Sequence, residues 1–162
     1  MALTDRKPSG VLKILLRTPV WLYRARLGWL AGHRLVYIVH RGRRSGARRE
    51  VVAEVVGYDP AKPEVVVIAA WGKNPDWYRN LAAAPALEIR IGAQRWLRPV
   101  HRFLDGADTL HLLLSYQRQH PRAWKRLGPL LGFPADAGDP RWPAIADSTH
   151  AIVFTPDDTA SS

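Results

Sequence analysis

The chain has 162 residues, no cysteine and a formal net charge of +10, long enough for one domain with its own core but unable to hold it with disulfides or thiolate metal sites. Asp5 and Glu50 are the only acids in the first 50 residues, which carry 12 of the 24 Lys and Arg, whereas the 12 basic residues that follow are balanced by 12 acids. An excess confined to the first third excludes an evenly charged surface and points to an anionic partner: nucleic acid, a lipid surface or a phosphorylated small molecule.

Residues 1–10 are polar and read as a disordered start. From 11 to 31 the pattern is amphipathic: Val11, Leu12, Leu15 and Leu16 alternate with Lys13 and Arg17, Thr18-Pro19 restarts a helix as cap and first residue, and Gly28 stops it. Lys13, Arg17, Arg24 and Arg26 break any run of the roughly 20 apolar residues needed to cross a bilayer. The same charges argue against a secretory signal. The expectation is a helix pair packed over a sheet, with peripheral membrane contact as the second use of such a surface. Absence of cysteine suits a cytoplasmic protein, membrane-associated or not.

Leu35 to His40 is an apolar, β-branched strand, RGRRSGA (41–47) a turn, and Arg48 to Tyr58 a returning strand, together a hairpin with a basic tip. A turn at 59–63 leads to a buried strand, Val65 to Ile68. Small residues Ala69 and Ala70, a loop Trp71-Gly72-Lys73 and a helix follow, with Asn74 as cap, Pro75 as first residue, and Trp77, Leu81 and Ala84 on one face. Pro85 ends that helix. Leu87 to Ile91 alternates as a strand, Gly92-Ala93 turns, and Gln94 to Leu104 reads as one further strand. Asp105 caps a helix through Tyr116, and Pro121 to Leu131 forms another. Phe133 to Ser148 is a loop rich in Pro, Gly and Asp, Ala151 to Phe154 a last strand, and 157–162 a polar tail. Six short strands without a βαβ rhythm, and no G-x-G-x-x-G after a strand, predict an α+β fold on a small, partly closed β-barrel spanning 11–156 as a single domain.

Two stretches can carry chemistry. At the hairpin tip, Gly42-Arg43-Arg44-Ser45-Gly46 with Arg48 and Arg49 offers converging amides, a hydroxyl and guanidinium forks, a cradle for phosphate or carboxylate as well as an ordinary solvated turn. From Ala69 to Asn80, small residues let a flat ring approach the backbone. Trp71, Trp77 and Tyr78 supply aromatic faces, and Lys73, Asn74 and Asn80 supply polar handles; Trp77 and Leu81 read equally as core. Asp76 in the first helical turn suits the helix dipole but repels a second anion. An anionic tail is therefore expected at the arginine hairpin and a neutral ring near Ala70 and Trp71. The six His are scattered without metal-ligand spacing, so no metal site is expected. Ser45 lacks a nucleophile-elbow pattern, and His40, beside the basic tip, reads first as structural.

The pair GRRSGARR and, one strand later, AAWGKNPDWYRNL resembles the deazaflavin-dependent nitroreductase and quinone reductase family. The resemblance implies a split β-barrel of the flavin-reductase type and reduced coenzyme F-420 as hydride donor to a quinone or nitroaromatic. It further implies that Arg43, Arg44, Ser45, Gly46 and Arg49 hold the phosphate and acidic tail. Ala69, Ala70, Trp71, Gly72 and Lys73 would line the ring, with Trp77 and Asn80 supporting from the helix. Tyr116 would stand on the acceptor side as the catalytic candidate, hydrogen-bonding the acceptor or giving it a proton. Arg41 stands where the family usually has Thr, and the ring loop is short. The alternatives are a split barrel holding FMN or another flavin-like cofactor, and a basic protein without enzymatic activity that binds nucleic acid, although no specific nucleic acid is expected. Oligomeric state stays open, a homodimer being one option.

Overall fold

A computed structural model describes residues 24–25, 32–69 and 75–157. The expected disordered start, most of the 11–31 helix pair and residues 158–162 of the tail lie outside this range. Seven strands form one antiparallel sheet: β1 (Leu35–Arg41), β2 (Arg48–Asp59), β3 (Glu64–Ile68), β4 (Glu88–Ile91), β5 (Gln94–Leu97), β6 (Val100–Phe103) and β7 (Ala151–Thr155). Helix α1 (Asp76–Ala83) follows β3, and α2 (Gly106–Gln119), α3 (Pro121–Leu131) and α4 (Trp142–Ser148) lie between β6 and β7.

The strand order β5-β4-β1-β2-β3-β7-β6 puts β5 and β6 at opposite edges, yet only Arg98 and Pro99 separate them in the chain. A flat sheet of this width would hold its edges roughly 28 Å apart, whereas the link from Leu97 to Val100 reaches no more than about 11 Å. The sheet therefore curls until its edges approach at this corner. A second bend lies in β2, which pairs with β1 from Arg48 to Glu54 and with β3 from Val55 to Asp59, its register slipping between Val55 and Gly57. A bulge at that point sharpens twist and turns the strand from one half of the barrel into the other.

Alternation along the strands divides the core. Val36, Ile38, Val65, Val67, Ile152 and Phe154 face inward and pack with Leu81 of α1. Val66, Ile68 and Val153 face outward against Leu113 and Tyr116 of α2, Trp124 and Leu131 of α3 and Trp142 of α4. Burial on both faces explains why β1, β3 and β7 read as unbroken apolar runs, each fully buried side chain contributing about 1.5–3 kcal/mol relative to exposure. Helix ends follow the expected chemistry in two places. Asp105 accepts from the Asp108 amide at 2.8 Å, and Gly132, at φ 73°, closes α3 in the left-handed conformation.

The α+β barrel agrees with expectation; three local features differ. The strand expected over Gln94 to Leu104 is two strands, broken at Arg98, whose φ of 47° turns the chain. The loop expected over Phe133 to Ser148 contains α4, where Pro143 sits in the first turn without costing a hydrogen bond. Buried Trp142 anchors that helix, its indole N–H donating to the Asp136 carbonyl at 2.8 Å. Helix α1 begins at Asp76 with Pro75 as its cap, because the ψ of 152° at Pro75 is extended; Asn74 lies outside the described residues. Among the described residues no helix is long and apolar enough to cross a membrane.

Candidate functional site

The turn between β1 and β2 closes on itself. Gly42 N–H donates to the Ala47 carbonyl at 2.8 Å, Gly46 N–H to the Gly42 carbonyl at 2.7 Å, and the Ala47 amide to Ser45 Oγ at 3.2 Å. Two glycines are required for different reasons. Gly46 has a φ of 67°, the left-handed region, whereas a Cβ on Gly42 would stand 2.8 Å from Ser45 Oγ. Ser45 thus accepts one hydrogen bond inside the turn and keeps its O–H donor.

Helix α1 clamps this turn. Asn80, 6% exposed, accepts at Oδ1 from both the backbone amide of Arg43 at 3.0 Å and its Nη1 at 3.1 Å. Asp76, one helical turn earlier, accepts at Oδ1 from Nη1 and Nη2 of the same guanidinium, each at 3.3 Å. Arg43 can only donate, so the Asn80 oxygen must face the hairpin and its NH2 must face His40, whose Nδ1 lies 3.2 Å away. His40 therefore carries its proton on Nε2. It is 3% exposed, and burial holds it below the usual imidazole range, helped by the nearby Arg49 cation and opposed by the Arg41 backbone.

The charges at the tip are consequently not equivalent. Arg43 is committed to Asn80 and Asp76, so Asp76 offers an approaching anion a paired carboxylate rather than a free one. Arg48 pairs with Glu50, which Arg24 also grips. Arg44 and Arg49 are exposed and have no ion-pair partner among the described residues. The structure thus brings Arg43, Arg44, Ser45, Gly46, Arg49 and Asn80 together, with Trp77 half-buried on the same helix against the inner core. Buried Ala69 donates to the His150 carbonyl at 2.7 Å at the end of β3. Ala70, Trp71, Gly72 and Lys73 lie outside the described residues.

Tyr116 stands apart from the Asn80 node, in the cluster on the outer face of the sheet. Its hydroxyl donates to Glu54 Oε1 at 3.4 Å, and its ring lies 4.8 Å from that of His120. Burial pushes the Glu54 carboxyl above its ordinary value, against the hydrogen bond from Tyr116 and the charge of Arg34. Burial, then Glu54, pushes the Tyr116 hydroxyl up. Sequence reasoning missed Glu54, and the signal was there: it is an acid inside VVAEVV at an outward position, in step with Glu50. Among the described residues no three His, Asp or Glu side chains converge to hold a metal ion.

Residues 15–122 match the family described as F-420H(2)-dependent quinone reductase. A Mycobacterium tuberculosis protein provisionally named an F-420H(2)-dependent quinone reductase is 38% identical over 71 residues, 43% of this chain and 56% of that one; the chain spans little more than half of that relative. The solved structure of an F-420-H2 dependent reductase superposes with a TM-score of 0.50 and 17% identity over 76% of this chain and 95% of its own. Another, titled a domain-swapped dimer, gives 0.50 and 15% over 85% and 99%. At such identities these two structures establish a shared fold, the split β-barrel.

Proposed function

The chain belongs to the F-420H(2)-dependent quinone reductase family, and from that premise we propose that it is an oxidoreductase passing a hydride from reduced coenzyme F-420 to a quinone or a nitroaromatic. The observation that carries the reading is the division of labour at the hairpin. Arg43 is spent on Asn80 and Asp76, which holds the turn rigid, while Arg44 and Arg49 remain exposed for an anion. A preorganised turn loses little entropy on binding. Guanidinium forks, the free Ser45 O–H and the amides around Gly46 suit the phosphate and acidic tail of such a coenzyme.

When bound, the deazaflavin supplies the two-electron hydride chemistry. The residues of this chain would do the rest. As the family resemblance implies, Ala69, Ala70, Trp71, Gly72 and Lys73 would line the ring, with Trp77 and Asn80 supporting from α1. Tyr116, beside Glu54, would hydrogen-bond the acceptor. A quinone that receives a hydride also takes up one proton to become the hydroquinone, and the Tyr116 hydroxyl, backed by Glu54, would be the group that passes it on.

Titration of the purified protein with F-420, FMN and FAD, followed by coenzyme fluorescence, tests the reading. Micromolar F-420 binding that weakens at least about tenfold in Arg44→Ala/Arg49→Ala, with no FMN binding, is expected. Absence of F-420 binding sinks it. Unchanged turnover in Tyr116→Phe removes Tyr116 from the reaction.

A further inference from the structure

Leu97, Val100 and Phe103 are the large apolar side chains left exposed among the described residues, at 57%, 55% and 38%. All three flank the corner where Arg98 and Pro99 join the two edges of the sheet. Register fixes their directions. Leu97 lies opposite Glu88 and Val100 opposite Thr155, both on the outer face, while Phe103 lies opposite Ile152 on the inner rim. The outer side of the corner is therefore a pair of aliphatic side chains left exposed among the described residues.

Arginines surround that pair. Arg95, Arg98 and Arg102 are all exposed. Arg95 is held by Glu88 at 2.9 Å, and Arg102 approaches Asp108 only at 3.9 Å. Arg98, at the tip itself, has no ion pair among the described residues. Its φ of 47° makes it the one described non-glycine residue with positive φ. The conformation is fixed from behind by the Arg98 amide, which donates to the Leu87 carbonyl at 3.0 Å.

We propose that this corner docks on an anionic lipid bilayer. Aliphatic tips enter the interface between headgroups and acyl chains, and guanidinium groups meet lipid phosphates. Competing occupants fit less well. A second copy seated symmetrically on the same corner brings two sets of arginines together, in a chain already at +10. Nucleic acid satisfies the arginines but leaves Leu97 and Val100 in water, and the one aromatic of the patch faces the inner rim. The inference does not rest on the coenzyme reading and would stand if that reading failed.

The chain has no cysteine, so a single Val100→Cys substitution in the full-length protein can carry a nitrobenzoxadiazole label at the corner. An Ala61→Cys label, in the exposed turn between β2 and β3, serves as reference. Vesicles of phosphatidylglycerol with phosphatidylcholine should shift the Val100 emission to the blue and leave the Ala61 emission unchanged. The unlabelled Leu97→Asp/Arg98→Glu variant, with wild-type thermal unfolding, should partition onto these vesicles roughly tenfold less. Sedimentation with vesicles while the Val100 label stays silent assigns lipid binding to another segment and overturns the proposal. A blue shift on raising protein concentration without vesicles assigns the corner to a second copy, and an equal response to pure phosphatidylcholine removes the charge argument; either result also overturns it.

Discussion

Asn80 Oδ1 receives two hydrogen bonds from one residue, the backbone amide of Arg43 at 3.0 Å and its guanidinium at 3.1 Å. One amide of a helix thereby fixes both the main chain and the side chain of a hairpin tip 37 residues earlier in the sequence. The same amide donates to His40, so three elements share a buried node: the end of β1, the turn and α1.

Removing that node should cost stability first. Asn80→Ala leaves the Arg43 amide and His40 Nδ1 unpaired in a site that is almost fully buried. Leaving buried polar groups unsatisfied costs about 1–3 kcal/mol each. Urea denaturation should show an unfolding free energy lower by about 2–6 kcal/mol, with an unchanged slope. A variant as stable as the parent would mean that water replaces Asn80 without loss.

The arginines of the tip should separate into two kinds. Arg44→Ala is expected to weaken F-420 binding and flatten its salt dependence while thermal stability stays within about 0.5 kcal/mol. Arg43→Ala is expected to lower both, since it removes the guanidinium bond to Asn80 and the pair with Asp76 while leaving the backbone bond in place. Calorimetric unfolding alongside coenzyme titration reads the two effects separately. Equal behaviour of the two variants contradicts the division of labour.

Glycine replacements should distinguish backbone conformation from space. Gly46→Ala meets nothing within 4 Å, so its cost is the left-handed backbone alone, about 1–2 kcal/mol. Gly46→Asn should recover part of it, because Asn tolerates that region. Gly42→Ala instead displaces the Ser45 hydroxyl from the Ala47 amide and should perturb the tip with little backbone strain. Thermal unfolding of the three variants, ranked in that sense, is the check.

Acid sensitivity should begin near neutrality. Burial holds His40, His101 and His150 below the ordinary imidazole value. As pH falls, the unfolded chain binds these protons before the native state does. Their contribution is therefore full above about pH 6.5 and is lost as pH drops toward the folded values. Glu54, raised by burial, acts in the opposite sense: the native carboxyl binds its proton first, so its contribution is present below the ordinary carboxylate value and lost as pH rises through the folded one. Urea midpoints at pH 7.5, 6.5 and 5.5 should fall in that order, and His40→Gln should lessen the slope. A flat series between pH 7.5 and 5.5 rules out buried neutral imidazoles.

What the residues by themselves determined is local. Apolar β-branched runs at 35–40, 51–56 and 65–68 specify strands, because each lacks the helical spacing of polar positions. Asp105 and Pro121 set helix starts through caps that need only neighbouring residues. The basic turn and the WYRNL helix are visible as motifs for the same reason. Tertiary structure decided whatever depends on residues far apart in the chain. Gln94 to Leu104 reads as one strand until the edges of a curled sheet must be joined within two residues, and then Arg98 and Pro99 become its corner. Helix α4 is hidden in a Pro- and Asp-rich stretch because what holds it is the burial of Trp142 against Trp124, not local propensity. Arg43 and Arg44 are indistinguishable neighbours in the sequence. Only the approach of Asn80 and Asp76 makes one a fastener of the hairpin and leaves the other exposed, because a hydrogen bond depends on distance in space and the chain brings those groups together only by folding.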